Sequence, residues 1–153
     1  MILAHFRATF ADAFLPRLSE WAPATLLLFI GWLLTHNPEL MKPGTRGYQL
    51  LLSLFEQSTW ALIFYLFGLA RLSVLAINGA WRRSPWARAI MAGLSCFFWT
   101  QLTLSFLPVF GFAFAAYSTF LAMDFINIFR AMRDARVVDD AFRSSKVHDE
   151  HVT

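Results

Sequence analysis

The stretch from Ala89 to Met123, AIMAGLSCFFWTQLTLSFLPVFGFAFAAYSTFLAM, contains 35 consecutive residues without an Asp, Glu, Lys or Arg. Pro108 and Gly111 are the good helix breakers in it, and they fall close to its middle. A single helix of this length would overshoot a bilayer core, which about 20 apolar residues cross. The stretch therefore predicts a hairpin of two membrane-spanning helices, over residues 89–107 and 112–129.

Two further apolar segments precede this hairpin, at residues 21–37 and 49–71. The whole chain is 58% hydrophobic and 15% charged, whereas soluble domains average about 45–50% apolar and about 25% charged residues. We therefore predict an all-α integral membrane bundle of four transmembrane helices. It would form one domain over residues 1–143, with the lipid bilayer as its surroundings.

The distribution of Lys and Arg predicts the orientation of this bundle. Of the 13 Lys and Arg residues, only Lys42 and Arg46 fall in the loop between the first and second spans, on the side of the membrane opposite the two termini. Cytoplasmic loops carry the excess of basic residues in multi-span proteins, so both termini are predicted to be cytoplasmic, in a bacterial inner membrane. Five arginines are predicted to form a basic cytoplasmic surface: Arg82, Arg83, Arg88, Arg130 and Arg133.

The two ends of the chain carry their own patterns. Residues 1–18 place apolar side chains at helical spacing, which fits an interfacial helix in the headgroup layer or, equally, a soluble helix packed on the bundle. After the fourth span, Arg130 with Asp134 and Arg136 with Asp140 stand four residues apart, as in an exposed helix. A charged helical tail is therefore predicted, with disorder over residues 144–153.

Ionisable side chains at membrane depth are costly and mark candidate sites. Glu56, Arg71 and Asn78 fall on one side of the second predicted helix. Arg71 and Asp124 lie at similar depth, which predicts a salt bridge between the second and fourth spans. Glu56 is expected to hydrogen-bond Gln101 on the third span. These groups would either carry protons along a polar path or hold the bundle together.

Patterns that would indicate catalysis or metal binding are missing from the sequence. The four histidines have no ligand spacing, the single Cys96 has no partner for a disulfide, and no phosphate loop, nucleophile elbow or HExxH motif is present. We predict no enzymatic activity, cofactor or metal. The basic residues flank apolar segments, so membrane topology explains the pI near 9.5 and no nucleic-acid partner is predicted.

Several short segments resemble a known group of proteins. They are Gly68-Leu69-Ala70-Arg71-Leu72, the run Ile77-Asn78-Gly79-Ala80-Trp81-Arg82-Arg83-Ser84-Pro85 with Arg88, and Asp124 with the later Arg130-Ala131 and Arg133-Asp134-Ala135. Over roughly residues 50–136 the chain resembles small multi-span membrane proteins of tailed bacteriophages and prophages. The resemblance implies a phage origin and a holin-like size, although four spans are more than holins usually have.

Three functional hypotheses follow. The first is a non-enzymatic, self-associating membrane protein with holin-like permeabilising activity. The second is an accessory or anchoring subunit that presents its basic cytoplasmic loop and tail to a partner complex. The third is a proton- or solute-conducting channel built around Glu56.

Overall fold

The structure, a computed structural model, describes residues 17–80 and 85–150, and every regular element in those ranges is helical. The elements are α1 (Leu18–His36), a 3-10 turn (Arg46–Tyr48), α2 (Gln49–Leu54), α3 (Gln57–Ala80), α4 (Pro85–Phe106) and α5 (Phe112–Glu150). All the helices except α2 are long and apolar enough to cross a membrane, which confirms the all-α prediction and the number of candidate spans. The N-terminal interfacial helix was predicted for residues that lie almost wholly outside the described ranges.

Helices α1 and α3 pack backbone to backbone through two glycines. A Cβ atom added at Gly31 would lie 2.7 Å from the Cα of Tyr65, and one at Gly68 would lie 2.6 Å from the Cα of Leu28. Both distances are well below the roughly 3.5–4.0 Å at which carbon atoms pack best. Only glycine therefore permits this approach, as in other membrane helix pairs with small residues at the contact.

Helices α4 and α5 form the predicted hairpin. Helix α4 ends at Phe106 and α5 begins at Phe112. Between them, Phe110 has a φ of 47°, and its backbone N–H donates to the carbonyl of Phe106 at 3.1 Å. Aromatic rings then line the contact between the helices, with the ring centroids of Trp99 and Phe120 5.1 Å apart. The position of the turn agrees with the sequence prediction.

The second predicted span, residues 49–71, is not one continuous helix. The chain becomes extended at Phe55, with φ −148° and ψ 156°, so that α2 ends there and α3 begins only at Gln57. The buried ring of Trp60 fixes this break, because its Nε1–H donates to the carbonyl of Leu51 at 2.8 Å. The segment that is long and apolar enough to cross a membrane consequently runs from Gln57 to Asn78, further along the chain than predicted.

The other helix boundaries also extend beyond the predicted spans. Helix α1 begins at Leu18, and α4 begins at Pro85, where a proline suits the first turn because it has no N–H to leave unpaired. Helix α5 is 39 residues long and continues through Glu150. Residues 144–150 belong to this helix and residues 151–153 lie outside the described ranges; disorder of the tail in solution stays a prediction.

The two helix pairs, α1 with α3 and α4 with α5, meet along an interface whose two ends differ in chemistry. One end, which we call the ion-pair half, contains Ser19, Glu20, Arg71, Arg88, Asp124 and Asn127. The opposite end, which we call the aromatic half, contains Tyr48, Phe64, Phe67, Phe98, Phe106 and Tyr117. In the aromatic half, the ring centroids of Tyr48 and Phe106 are 5.2 Å apart, and burial raises the pKa of the Tyr48 hydroxyl.

Candidate functional site

The predicted salt bridge between Arg71 and Asp124 is present at the centre of the ion-pair half. Nη1 of Arg71 donates to Oδ2 of Asp124 at 2.6 Å, and Nη2 of Arg71 donates to Oδ1 in parallel. The two side chains are 2% and 0% exposed. Their positions, 14 residues into α3 and 12 residues into α5, correspond to depths of about 21 Å and about 18 Å from the same end of the bundle.

Further hydrogen bonds complete the surroundings of this ion pair. Arg71 also donates to the buried hydroxyl of Ser95. Asp124 accepts from Nε1 of Trp99 at 2.9 Å and from Nδ2 of Asn127 at 3.1 Å. A carboxylate offers about four lone-pair positions, and four hydrogen bonds reach this one. The Asp124 carboxylate is therefore satisfied within the protein.

Asn127 extends the network to the start of α1. Its Nδ2 donates to the carbonyl of Ser19 at 2.8 Å, and the Ser19 hydroxyl donates to Oδ1 of Asn127 at 2.9 Å. The carbonyl of Ser19 is available because Pro23, four residues later in the helix, has no N–H to donate to it. Arg130 also donates to the Ser19 hydroxyl at 3.0 Å.

A second ion-pair cluster surrounds Arg88. Its Nε donates to Oε2 of Glu20 at 2.9 Å, its Nη2 pairs with the other oxygen of that carboxylate, and its Nη1 donates to Asp134 at 3.0 Å. Arg88 and Glu20 are both buried, while the Asp134 side chain is 43% exposed. The carboxylates stabilise the buried guanidinium by charge-assisted hydrogen bonds.

The prediction that Arg88 belongs to an exposed basic surface was therefore wrong. Helix α4 begins before Arg88, so this residue lies inside the bundle instead of in a loop. Of the other predicted members, Arg133 is exposed and Arg130 is half-buried, whereas Arg82 and Arg83 lie outside the described residues. Among the described members, only Arg133 is therefore fully part of an exposed basic surface.

The predicted hydrogen bond between Glu56 and Gln101 is also absent from the described ranges. Glu56 is exposed in the break before α3, where its carboxylate accepts from the Ser58 hydroxyl at 2.7 Å. Gln101 is partly buried on α4. Asn78 is buried on the same helix as Arg71, as predicted, and its Nδ2 donates to the carbonyl of Val74 at 2.9 Å.

Sequence reasoning missed much of the network: Ser19, Glu20, Ser95, Trp99 and Asn127. One signal was available in the periodicity, because Arg88, Ser95 and Trp99 are separated by seven and four residues on α4. Such spacing places them on one helix face. The sequence did not show whether this helix face contacts Asp124 or is turned towards lipid.

The arrangement joins four helices through neutralised charges. Interhelical polar contacts in membrane proteins contribute about 0.6 kcal/mol on average, and loss of one partner of a buried ion pair is much more costly. Within residues 17–80 and 85–150, no group of three His, Cys, Asp or Glu side chains is placed to bind a metal ion. The described geometry accordingly favours a structural role for the network.

Comparisons with family models, curated proteins and solved structures give no match to this chain. They provide no indication of a phage origin, and the resemblance noted from the sequence stays a prediction.

Proposed function

We propose that this chain is a non-enzymatic anchoring subunit of a bacterial inner membrane, with both ends in the cytoplasm, that docks a partner complex through the end of α5. The observation that carries the proposal is the length of α5. Its 39 residues make a helix about 58 Å long, and about 20 of them suffice to cross a bilayer core. The remainder, roughly 28 Å, would project into water.

The charges along α5 support this division. From Phe112 to Met123 the helix has no charged residue, whereas residues 130–150 contain five Lys or Arg and five Asp or Glu. Arg133, Arg136 and Val137 are exposed on the projecting part. The basic residues nearest the apolar segment would lie against anionic headgroups on the cytoplasmic side. A helix of balanced charge beyond them suits contact with another protein in water.

The ion-pair half supports an anchor more than a pore. Its buried charges are paired across all four crossing helices, so the bundle has polar groups that hold it in one arrangement. Glu56, the residue on which the channel hypothesis depended, lies exposed outside the helix in which a polar path was expected. Holin-like permeabilisation and conduction are therefore the alternatives against which the proposal is tested.

The first test is inducible expression of the full chain in a bacterial host, with membrane potential and culture density recorded. An anchoring subunit should insert stably and leave both readings at the level of an inert membrane protein of similar hydrophobicity. Abrupt depolarisation and growth arrest would overturn the proposal in favour of holin-like activity or conduction. The Glu56→Gln variant separates these two alternatives, because it should abolish conduction and leave holin-like activity unchanged.

The second test locates the docking surface. A photo-crosslinking residue at Arg133 or Arg136 should capture one defined membrane-associated complex in the native host. The same probe at Phe112, which is 97% exposed at the opposite end of α5, is the matched control. Deletion of residues 138–153 should abolish capture while insertion is retained. Equal crosslinking from Phe112 and Arg136 would contradict docking through the end of α5.

A further inference from the structure

A groove of about 680 Å³ opens between the end of α1 and the start of α3, in the aromatic half. Its floor includes the buried Ala61, and its walls include Trp32, Leu62 and Tyr65, which are exposed to the surroundings of the bundle. His36 and Ser58 lie at the polar end of the groove, where both helices terminate. In a membrane, this level corresponds to the boundary between acyl chains and headgroups.

The groove is preformed, because a side chain holds its two helices at a fixed separation. Nε2 of Gln57 donates to the carbonyl of Leu34 at 2.9 Å and to that of Asn37 at 2.5 Å. Oε1 of Gln57 accepts from the backbone N–H of Met41 at 2.7 Å. These bonds satisfy carbonyls at the end of α1 that the helix itself leaves unpaired. The groove therefore needs no rearrangement to receive a ligand.

The polar end of the groove presents hydrogen-bond acceptors. Nδ1 of His36 lies 2.9 Å from the carbonyl of Trp32, and because a carbonyl only accepts, Nδ1 is the donor; in the neutral imidazole this leaves Nε2 as an acceptor. The carboxylate of Glu56 accepts from Ser58, which lines the groove. No Lys or Arg in the described ranges forms a salt bridge with Glu56, whereas Glu39 pairs with Lys42 at 3.4 Å.

The ring of Trp32 forms the wall beside the polar end. Its centroid lies 4.4 Å from that of His36 and 5.6 Å from that of Phe29, and the side chain is exposed at the groove wall. Trp and Tyr are enriched where membrane proteins meet the headgroup layer. An apolar floor, an aromatic wall and the ring of His36 thus line one groove, and the Glu56 carboxylate lies beside its polar end through the hydrogen bond from Ser58.

We propose that this groove binds one phospholipid whose headgroup carries a primary ammonium, as in phosphatidylethanolamine. An acyl chain lies over Ala61 and Leu62, and the ammonium donates hydrogen bonds to Glu56 and His36. A trimethylammonium group has no N–H to donate, so phosphatidylcholine binds less well, and the anionic phosphatidylglycerol is repelled by Glu56. This inference depends on the helices crossing a membrane and is independent of docking through α5.

The test uses the full chain reconstituted in bilayers of equal parts phosphatidylethanolamine, phosphatidylcholine and phosphatidylglycerol, then released into detergent for native mass spectrometry. The wild-type protein should retain one phosphatidylethanolamine in clear excess over the other two lipids. Glu56→Gln should reduce that retention at least tenfold, which corresponds to about 1.4 kcal/mol, because the amide keeps the shape of the side chain but loses the negative charge that faces the ammonium.

A second pair of variants separates the groove from the rest of the surface. Ser58→Phe should fill the polar end and remove the retained lipid, whereas Ser73→Phe, the same change at another exposed position of α3, should leave retention unchanged. Equal retention of the three lipids by the wild-type protein would overturn the proposal. So would retention in Glu56→Gln or Ser58→Phe at the wild-type level.

Discussion

The ion-pair half and the aromatic half join the same two helix pairs by different physical means. In the ion-pair half, Arg71, Asp124 and their neighbours form directional bonds that exist only in one alignment of the helices. In the aromatic half, rings such as Phe64 and Phe98, with centroids 5.7 Å apart, contribute packing with less directional demand. Lipid tails are as apolar as these rings, so apolar burial contributes little to helix association in a bilayer. The comparison indicates that the ion-pair half specifies how the two helix pairs align, and that the aromatic half packs in the alignment so specified.

The largest expected effect comes from Asp124→Leu, which breaks the ion-pair half at its centre. The substitution leaves the buried guanidinium of Arg71 unpaired, and removal of one partner of a buried pair costs about 3–5 kcal/mol. We expect loss of accumulation in the membrane and a large fall in the midpoint of thermal unfolding in detergent.

The double variant Arg71→Leu with Asp124→Leu is the control for that prediction. It removes both charges, so it should be more stable than Asp124→Leu alone. A double variant as unstable as the single one would mean that the ion pair does not explain the loss. Stability of Asp124→Leu at the wild-type level would refute the special role of the ion-pair half.

An intermediate effect is expected from Gly31→Ala, which acts within one helix pair and not between the two pairs. The added Cβ would meet the backbone of Tyr65 and the carbonyl of Ala61 at 2.9 Å or less, and overpacking of this kind costs about 1–3 kcal/mol. Gly93→Ala is the matched control, since a Cβ there meets nothing within 4 Å. Equal unfolding midpoints for the two variants would contradict the close approach of α1 and α3.

The smallest and most direct comparison uses two buried tryptophans, Trp99, which is bonded to Asp124 of the ion-pair half, and Trp60, which stacks on Phe64 of the aromatic half. Trp99→Phe removes a hydrogen bond to the Asp124 carboxylate, and Trp60→Phe removes one to the carbonyl of Leu51. Bonds to charged groups contribute about 1.5–3 kcal/mol and neutral ones about 0.5–1.5 kcal/mol. Trp99→Phe should therefore lower the unfolding midpoint more, and the reverse order would show that the aromatic half dominates stability.

The parts of the fold that could be predicted from the sequence are those that depend on which segments of the chain prefer lipid and which prefer water. A charge-free stretch interrupted by Pro108 has few solutions other than a helical hairpin. Arg71 and Asp124 were also predictable as a pair, because each is a single charge in an apolar segment and their depths match. In both cases the cost of an unpaired polar group in lipid leaves little choice.

The remaining features depend on contacts that no local pattern reveals. The break at Phe55 interrupts a continuous apolar run without a proline, and it depends on hydrogen bonds made by Gln57 and Trp60 across the fold. In the sequence, Arg88 and Glu20 look like ordinary charges at the ends of spans. They meet in the structure because α4 begins before Arg88 and carries it into the bundle. Small residues are common in apolar helices, so no local pattern marks Gly31 and Gly68 as the two that form the helix contact.

The freed carbonyl of Ser19 has a consequence for how the protein is made. Its hydrogen-bond donor, Asn127, is 108 residues later in the chain, and ribosomes add roughly 5–20 residues per second. The first helix therefore exists for on the order of 5–20 s before the last helix can cover that carbonyl. During this interval the carbonyl of Ser19, in the first turn of α1, would be left to water or lipid headgroups, and its bond with Asn127 would form only when synthesis is nearly complete.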